Sequence, residues 1–552
     1  MVTSFVFPHI LIFFNQQMAE PNFEVCDKKE KKERLKLPTV ARESLRYDVS
    51  LRATAAIVTA TLIDINHVTK DTAEDVVGHL KIYRERNEVM KEYQNEFEET
   101  LMENPVTCII FDGKKDDTLT YLVDDNGKTY PGRTKEEHIA VSSEPGGKYL
   151  THLTPDGGKA VNVGDSLVNW IQEHDIDSSL MAIGGDSTNV NTGRQGGIIQ
   201  YVEKKLGKKL TWIICSLHTN ELPLRHLIIQ LDGPTSSDTK FTGTLGIEIC
   251  KDVQDYEINS NFKKISDGPG VCELPPDVVQ DLSTDQRYAY CIAQVIRSGE
   301  IDWDLVYCQI GPVVHSRWLT TACRFCRLYI SKHEFKGKDL TNLKLIVHWI
   351  VTVYLPMWFQ IKCNPRLVDG PKHILYQIRL IRAFVSKKVQ AIIFPYVETG
   401  AWQAHSELVL LSCLCDDDVI LRKFAVNKIV EKRGSLEFGD TSVREFHRPI
   451  INKEASCLQE IITWSDLHEP NFTCSLSTGE ILNLVDKKLE LPRYPNHGQS
   501  IERIVKEVSN ASKKVNGFER RDGYIRAKIK SRDIMPKQTS KKSLMKMIPG
   551  VI

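Results

Sequence analysis

Two short segments near the middle of the chain hold the residue types best suited to chemistry. They are Gly-Gly-Asp-Ser-Thr-Asn-Val-Asn at 184–191 and Cys-Ser-Leu-His-Thr-Asn-Glu-Leu at 215–222. Each follows an apolar run: Met181, Ala182 and Ile183 lead into Asp186, and Trp212, Ile213 and Ile214 lead into Cys215 and His218. Strands buried on both faces read as such runs, and open sheets place their ligands just past strand ends. Asp112 stands in the same relation to the run Val106–Phe111. Carboxylates from two neighbouring strand ends, joined by a third from a helix packed across the sheet, form a hard oxygen site for divalent cations. That chemistry suits phosphoryl transfer by two metal ions. Glu502, at the start of the last amphipathic helix, is the first candidate for the third acid, and Glu407, in Ala-His-Ser-Glu, is its rival. Each has a plainer explanation when taken alone. A strand-end Asp commonly serves a turn, and a first-turn Glu is favoured by the helix dipole or by capping.

Other motifs carry less. Cys215-x-x-His218 has one-turn spacing, but two ligands cannot close a zinc site. Cys323 and Cys326 have zinc-like spacing without a second pair, and on a helix they are one turn of a packed face. The glycines at 184–185 and 193–197 lack the Gly-Lys-Ser/Thr ending of a nucleotide-binding loop. In His315-Ser-Arg317-Trp318 a cation stands beside an indole, which fits stacking on an unpaired base with Arg317 on phosphate. A packed Trp with Arg at its rim fits equally well.

The elements that must position these residues follow from periodicity. Strands are expected at 106–111, 119–123 and 139–142, then a helix at 160–173, a strand at 180–183, a helix at 197–206, a strand at 210–214 and a helix at 217–231. Antiparallel hairpins followed by crossovers make an α/β mixed sheet in the order of a ribonuclease-H-like core. From 236 strand signals become sparse, and helices are expected at 284–298, 316–332, 340–359, 373–389 and 406–431. The domain plan is therefore a basic segment at 1–37, a helical region at 38–103, the first part of the core at 104–235, an all-helical insertion at 236–430, a return to the core with a closing helix at 431–515, and a basic tail at 516–552.

The chain has 552 residues, and its 72 Lys and Arg balance 72 Asp and Glu, so overall charge selects no partner. The two basic ends are either solvated tails or phosphate contacts. Fourteen cysteines without a repeating frame are expected to be reduced, many of them buried. The apolar stretch 345–359 falls short of the ~20 residues a spanning helix needs, so a buried helix and no membrane are expected.

Taken in order, these pieces resemble transposases of the hAT superfamily. The elements that carry the resemblance are Phe111-Asp112-Gly113, the Asp186-x-x-x-x-Asn191 segment, Cys215 with His218, Arg317-Trp318-Leu-Thr-Thr, and Ser500-Ile-Glu502-Arg503. The resemblance implies a ribonuclease-H-like fold interrupted by a large all-α insertion. It also implies that Asp112, Asp186 and Glu502 hold two Mg²⁺ or Mn²⁺ ions for DNA cleavage and strand transfer. His218, Arg317 and Trp318 would contact DNA, the protein would form a homo-oligomer, and it would work in the nucleus. Three departures accompany the match: no paired-Cys, paired-His finger near the start, Gly-Lys-Lys after Asp112, and no recognisable C-terminal dimerisation sequence. They leave open a non-catalytic, domesticated DNA- or protein-binding scaffold, and a related nuclease unconnected with transposition.

Overall fold

The computed structural model describes residues 35–193, 196–236, 240–311, 318–434, 449–534 and 544–545. Arg317, the residues before 35 and most of those after 534 lie outside the described residues. The chain divides into two compact units, one ending at Arg86 and one beginning at Asn87.

The first unit is helical. Pro38–Arg46 and Leu51–Asp64 are separate helices within the stretch the sequence reading expected to be helical. Ser50 divides them because its side chain accepts from the Ala53 amide as an N-cap. Ala55, Val77 and Ile82 form its small core. Glu85 fixes the entry of the chain by accepting from the Leu37 amide at 2.8 Å.

The second unit is built on a mixed five-stranded sheet of order β3-β2-β1-β4-β5. Its strands are β1 (Cys108–Val123), β2 (Thr129–Ser143), β3 (Lys148–Leu153), β4 (Ala182–Gly185) and β5 (Thr211–Ile214). β1, β2 and β3 pair antiparallel, while β4 pairs parallel to both β1 and β5. The expected strands at 106–111 and 119–123 are one strand. The charged residues between them are tolerated because this part of β1 forms a two-stranded arm with β2 and meets no third strand. β3 is an addition that the sequence reading missed. The crossover helices Ala160–Glu173 and Ile198–Leu206 cover the sheet, with Val163, Leu167 and Ile171 of the first and Ile199 and Val202 of the second buried against Ile109, Phe111, Ile183 and Trp212. Glycine is required at 184, because a Cβ there would lie 2.5 Å from the Ile213 carbonyl oxygen of the adjacent strand.

After β5 the helix Ser216–Asp232 begins at the sheet rim and ends inside a large helical region, where Leu224, Leu227 and Ile228 join an apolar core with residues from 241 to 397. A continuous helical run, Gly337–Cys363, crosses this core with a π-helical turn at Ile350–Tyr354 just before Pro356, the position where a proline removes a backbone donor. By length and composition it could cross a membrane, yet 72% of its most apolar window is buried in protein. Cys323 and Cys326 are buried in this core too, as one turn of a packed helix face.

The chain then returns to the sheet. The closing helix Gln499–Ser512 packs along β1 and β2, and a C-terminal helix, Phe518–Ile534, packs beside it. The sequence reading placed residues from 516 onward in a basic tail. Arg521 and Lys528, however, are buried, and Arg526 is held between the rings of Phe97 and Tyr149 at 3.7 and 4.9 Å. Part of that basic character is therefore structural.

Candidate active site at the sheet rim

Asp112 does not end its strand, as its sequence suggested; β1 runs on beside β2, with Asp112 paired to Ala140. What ends there is the pairing with β4, whose last matched residues are Ile110 and Gly184. Continuing that parallel register by two residues brings Asp112 level with Asp186, because side chains of parallel strands advance together.

Asp186 is held by its own turn. Its Oδ1 accepts from the Thr188 amide at 3.0 Å, the Thr188 hydroxyl at 2.6 Å and Asn191 Nδ2 at 2.7 Å. Such side-chain-to-backbone turns are a property of Asp followed by small polar residues. Asn191 and Thr188 were not assigned a role from sequence, although the Asp-x-Thr spacing is the signal of this turn.

Glu502 reaches the same rim through a clasp that no local pattern reveals. Asn364 to Leu367 of the helical region grip Tyr494 to Asn496. The Asn496 amide donates to the Pro365 carbonyl, Asn496 Nδ2 to the Asn364 carbonyl at 3.0 Å, and the Leu367 amide to the Tyr494 carbonyl at 2.8 Å. The Asn496 carbonyl in turn accepts from the Ser216 amide at 2.7 Å, next to Cys215 at the end of β5. The closing helix therefore begins against the strand ends, and Glu502 lies exposed in its first turn.

The charges of Asp186 and Glu502 both act on Asp112. The half-buried Asp112 carboxyl is pushed up to about 7, first by burial, then by the charge of Asp186, against the Gly113 amide that donates to it at 2.8 Å; the charge of Glu502 adds to the rise. The side-chain charges acting on Asp112 are thus both negative. His218 belongs to the same neighbourhood. Burial lowers its pKa, the Asp186 charge opposes that, and Arg225 adds to it. The Cys215 thiol is pushed up to about 12 by burial, although the Gly498 and His218 amides bond to it. A thiol so reluctant to ionise packs the closing helix onto the β5 turn and is a poor metal ligand.

The rival acid is elsewhere. Glu407 is fully buried at the opposite end of β5, where Thr211 Oγ1 donates to it at 3.4 Å and Lys209 lies 3.7 Å away. Trp318 is 8% exposed, with Phe241 at its ring edge and Arg225 over its face, so stacking on a base would require it to leave the helical core.

Asp112, Asp186 and Glu502 offer hard oxygen donors of the kind Mg²⁺ and Mn²⁺ take, and the charges of Asp186 and Glu502 raise the cost of ionising Asp112, which a shared cation would relieve. Among the described residues, however, no group of three or more His, Cys, Asp or Glu is drawn up as a set that could hold a metal ion. The donor chemistry fits a divalent cation, and the side chains would have to close on it.

The fold is a mixed five-stranded sheet with a large helical insertion between the sheet and its closing helix, and Asp112, Asp186 and Glu502 lie on three elements that meet at one rim. No family model matches the chain, and no curated protein matches it significantly. A solved structure, the Drosophila P element transposase strand transfer complex, aligns over 92% of this chain and 94% of that chain, at 10% identity and a TM-score of 0.29. A likeness that loose carries no residue or activity from that protein to this chain.

Proposed function

We propose that the chain is a transposon-derived nuclease with a ribonuclease-H-like core, acting on DNA in the nucleus as a homo-oligomer. The observation that carries the reading is the electrostatic coupling of Asp112 to both Asp186 and Glu502, three acids from three separate elements. Those residues would hold two Mg²⁺ or Mn²⁺ ions, which when bound activate a water or 3′-hydroxyl oxygen and shield the leaving oxygen. Thr188 and Asn191 keep the Asp186 carboxylate aimed at the rim. Asp112, whose carboxyl is pushed up to about 7, would be the acid whose proton a bound cation displaces to solvent. His218, kept neutral by burial, can place a hydrogen bond on the scissile strand.

A second reading is a non-catalytic DNA-binding scaffold. It is favoured by the acids standing apart from any closed ligand set. Nicking of supercoiled plasmid with Mg²⁺ or Mn²⁺ separates the two. Under the first reading Asp186→Asn abolishes nicking and spares DNA binding; under the second, wild type and variant bind alike and neither cuts.

A further inference from the structure

The closing helix has an outer face that its packing does not use. At 3.6 residues per turn, Glu502, Arg503, Lys506, Asn510 and Lys513 fall within an arc of about 100°. Arg503, Lys506 and Lys513 are all exposed, while Ile501, Ile504, Val508 and Ala511 are buried on the far side. The helix has one other acid, Glu507, and it is buried facing Lys528 of the C-terminal helix at 3.9 Å. Of the ionisable side chains on the outer face, Glu502 is therefore the only negative one, and it stands at the end nearest Asp112. A balanced chain has here gathered three cations in line with an acidic rim.

We propose that this face is a track for the phosphate backbone of a DNA strand, with Arg503, Lys506 and Lys513 leading the strand to the carboxylates. The identification of DNA rests on the function proposed above; the track itself rests on charge and helical spacing. Arg503 to Lys513 spans about 15 Å, the rise of roughly four base pairs along a duplex. The acids repel phosphate unless cations screen them, so attraction has to come from beside the cluster. A cationic face that begins at Glu502 supplies it beside the acids, and it does so without regard to base sequence.

The test is fluorescence anisotropy of the full chain with a labelled duplex of arbitrary sequence, in EDTA, across a salt series. The triple variant Arg503→Glu, Lys506→Glu, Lys513→Glu should bind at least ~10-fold more weakly near 0.1 M salt. The slope of log affinity against log salt should become shallower by about 2–3, since each lost phosphate contact removes about 0.9. The charge-conserving variant Arg503→Lys, Lys506→Arg, Lys513→Arg should keep both values. Circular dichroism establishes that each variant is folded, and if the triple variant is not, Lys506→Glu alone should lower the slope by about one. Unchanged affinity and slope in a folded charge-reversed variant would overturn the track, as would wild type that ignores the duplex at low salt or prefers an RNA duplex. Wild type that binds through these residues yet never nicks plasmid defeats the nuclease reading and leaves the track standing.

Discussion

Ser509 Oγ donates to Asp116 Oδ2 at 2.6 Å, joining the closing helix to β1 across 393 positions. The bond sets the level of the helix along the strand. From Ser509 back to Glu502 is seven residues, about 10 Å of helix; from Asp116 back to Asp112 is four, about 13 Å of strand. Glu502 and Asp112 therefore arrive at nearly the same height. Ser500 secures the other end by donating to Glu144 Oε1 at 2.7 Å. Ser509→Ala should strand the buried Asp116 carboxylate and cost about 1–3 kcal/mol, read as a lower midpoint in urea unfolding. A variant as stable as wild type would show that this bond does not set the level.

Asp112 should make stability fall as pH rises through neutrality. Its folded pKa of about 7 exceeds the ordinary 3.8, so the folded state holds the proton more tightly than the unfolded chain. The penalty is absent below pH 3.8, grows between the two values and is complete above 7. Asp112→Asn should therefore stabilise the metal-free protein at pH 8, by on the order of 2–4 kcal/mol, and leave it unchanged at pH 3.5. Thermal melts at the two pH values decide it, and equal shifts at both would refute the coupling. Added Mg²⁺ or Mn²⁺ should raise the melting temperature of wild type at pH 8 more than that of the variant.

His152 should act with the opposite sign on the C-terminal helix. It is fully buried, its Nδ1 is 2.9 Å from the Tyr149 hydroxyl, and Phe518 stacks on its ring. Tyr149 donates its proton to Asp522 at 3.0 Å, so the imidazole donates from Nδ1 and stays neutral. Burial, then Arg521, His138 and Arg526, push its pKa down from 6.5 to about 3. His138 is lowered as well, by burial and Arg521 against Glu136 and Asp116. A lowered histidine contributes its stability fully above pH 6.5 and loses it as pH falls toward 3, at about 1.4 kcal/mol per unit. Protection factors for hydrogen exchange in Phe518–Lys530, corrected for the intrinsic slowing of exchange in acid, should fall as pH drops from 6.5 to 4.5, and His152→Gln should blunt that change. Acid-insensitive protection in wild type would dispose of the idea.

The sequence made some of this arrangement legible and hid the rest for identifiable reasons. Asp186 stood out because β4 is buried on both faces and reads as an unbroken apolar run ending in a charge. The helix over 160–173 matched to the residue because its buried face keeps the 3.6 period. β1 was split in two because its exposed arm carries Lys114, Lys115 and Asp117, which only a solvent-facing hairpin admits. Arg521, Arg526 and Lys528 read as solvated because burial of a cation depends on partners from other elements, here Glu136 for Arg521, the Phe97 and Tyr149 rings for Arg526 and Glu507 for Lys528. The clasp at Asn364–Leu367 is made largely of backbone bonds, which leave no period to find.

Glu407 and Glu502 give the sharpest contrast for mutation. Both begin a helix and both were candidates for the third carboxylate, but burial separates them. Glu407 has no exposed surface and shares the start of β5 with Lys209 and Thr211, whereas Glu502 is exposed and acts on Asp112. Glu407→Gln keeps the shape but leaves Lys209 beside a neutral group, so it should lower stability by about 1–3 kcal/mol. It should leave the Asp112 titration near 7. Glu502→Gln removes a negative neighbour at an exposed position, so it should change stability by within about 0.5 kcal/mol near pH 4 and shift the Asp112 titration downward. Carbon-detected NMR of the aspartate carboxyl against pH, in metal-free protein, reads both effects. A downward shift with Glu407→Gln and none with Glu502→Gln would exchange their roles.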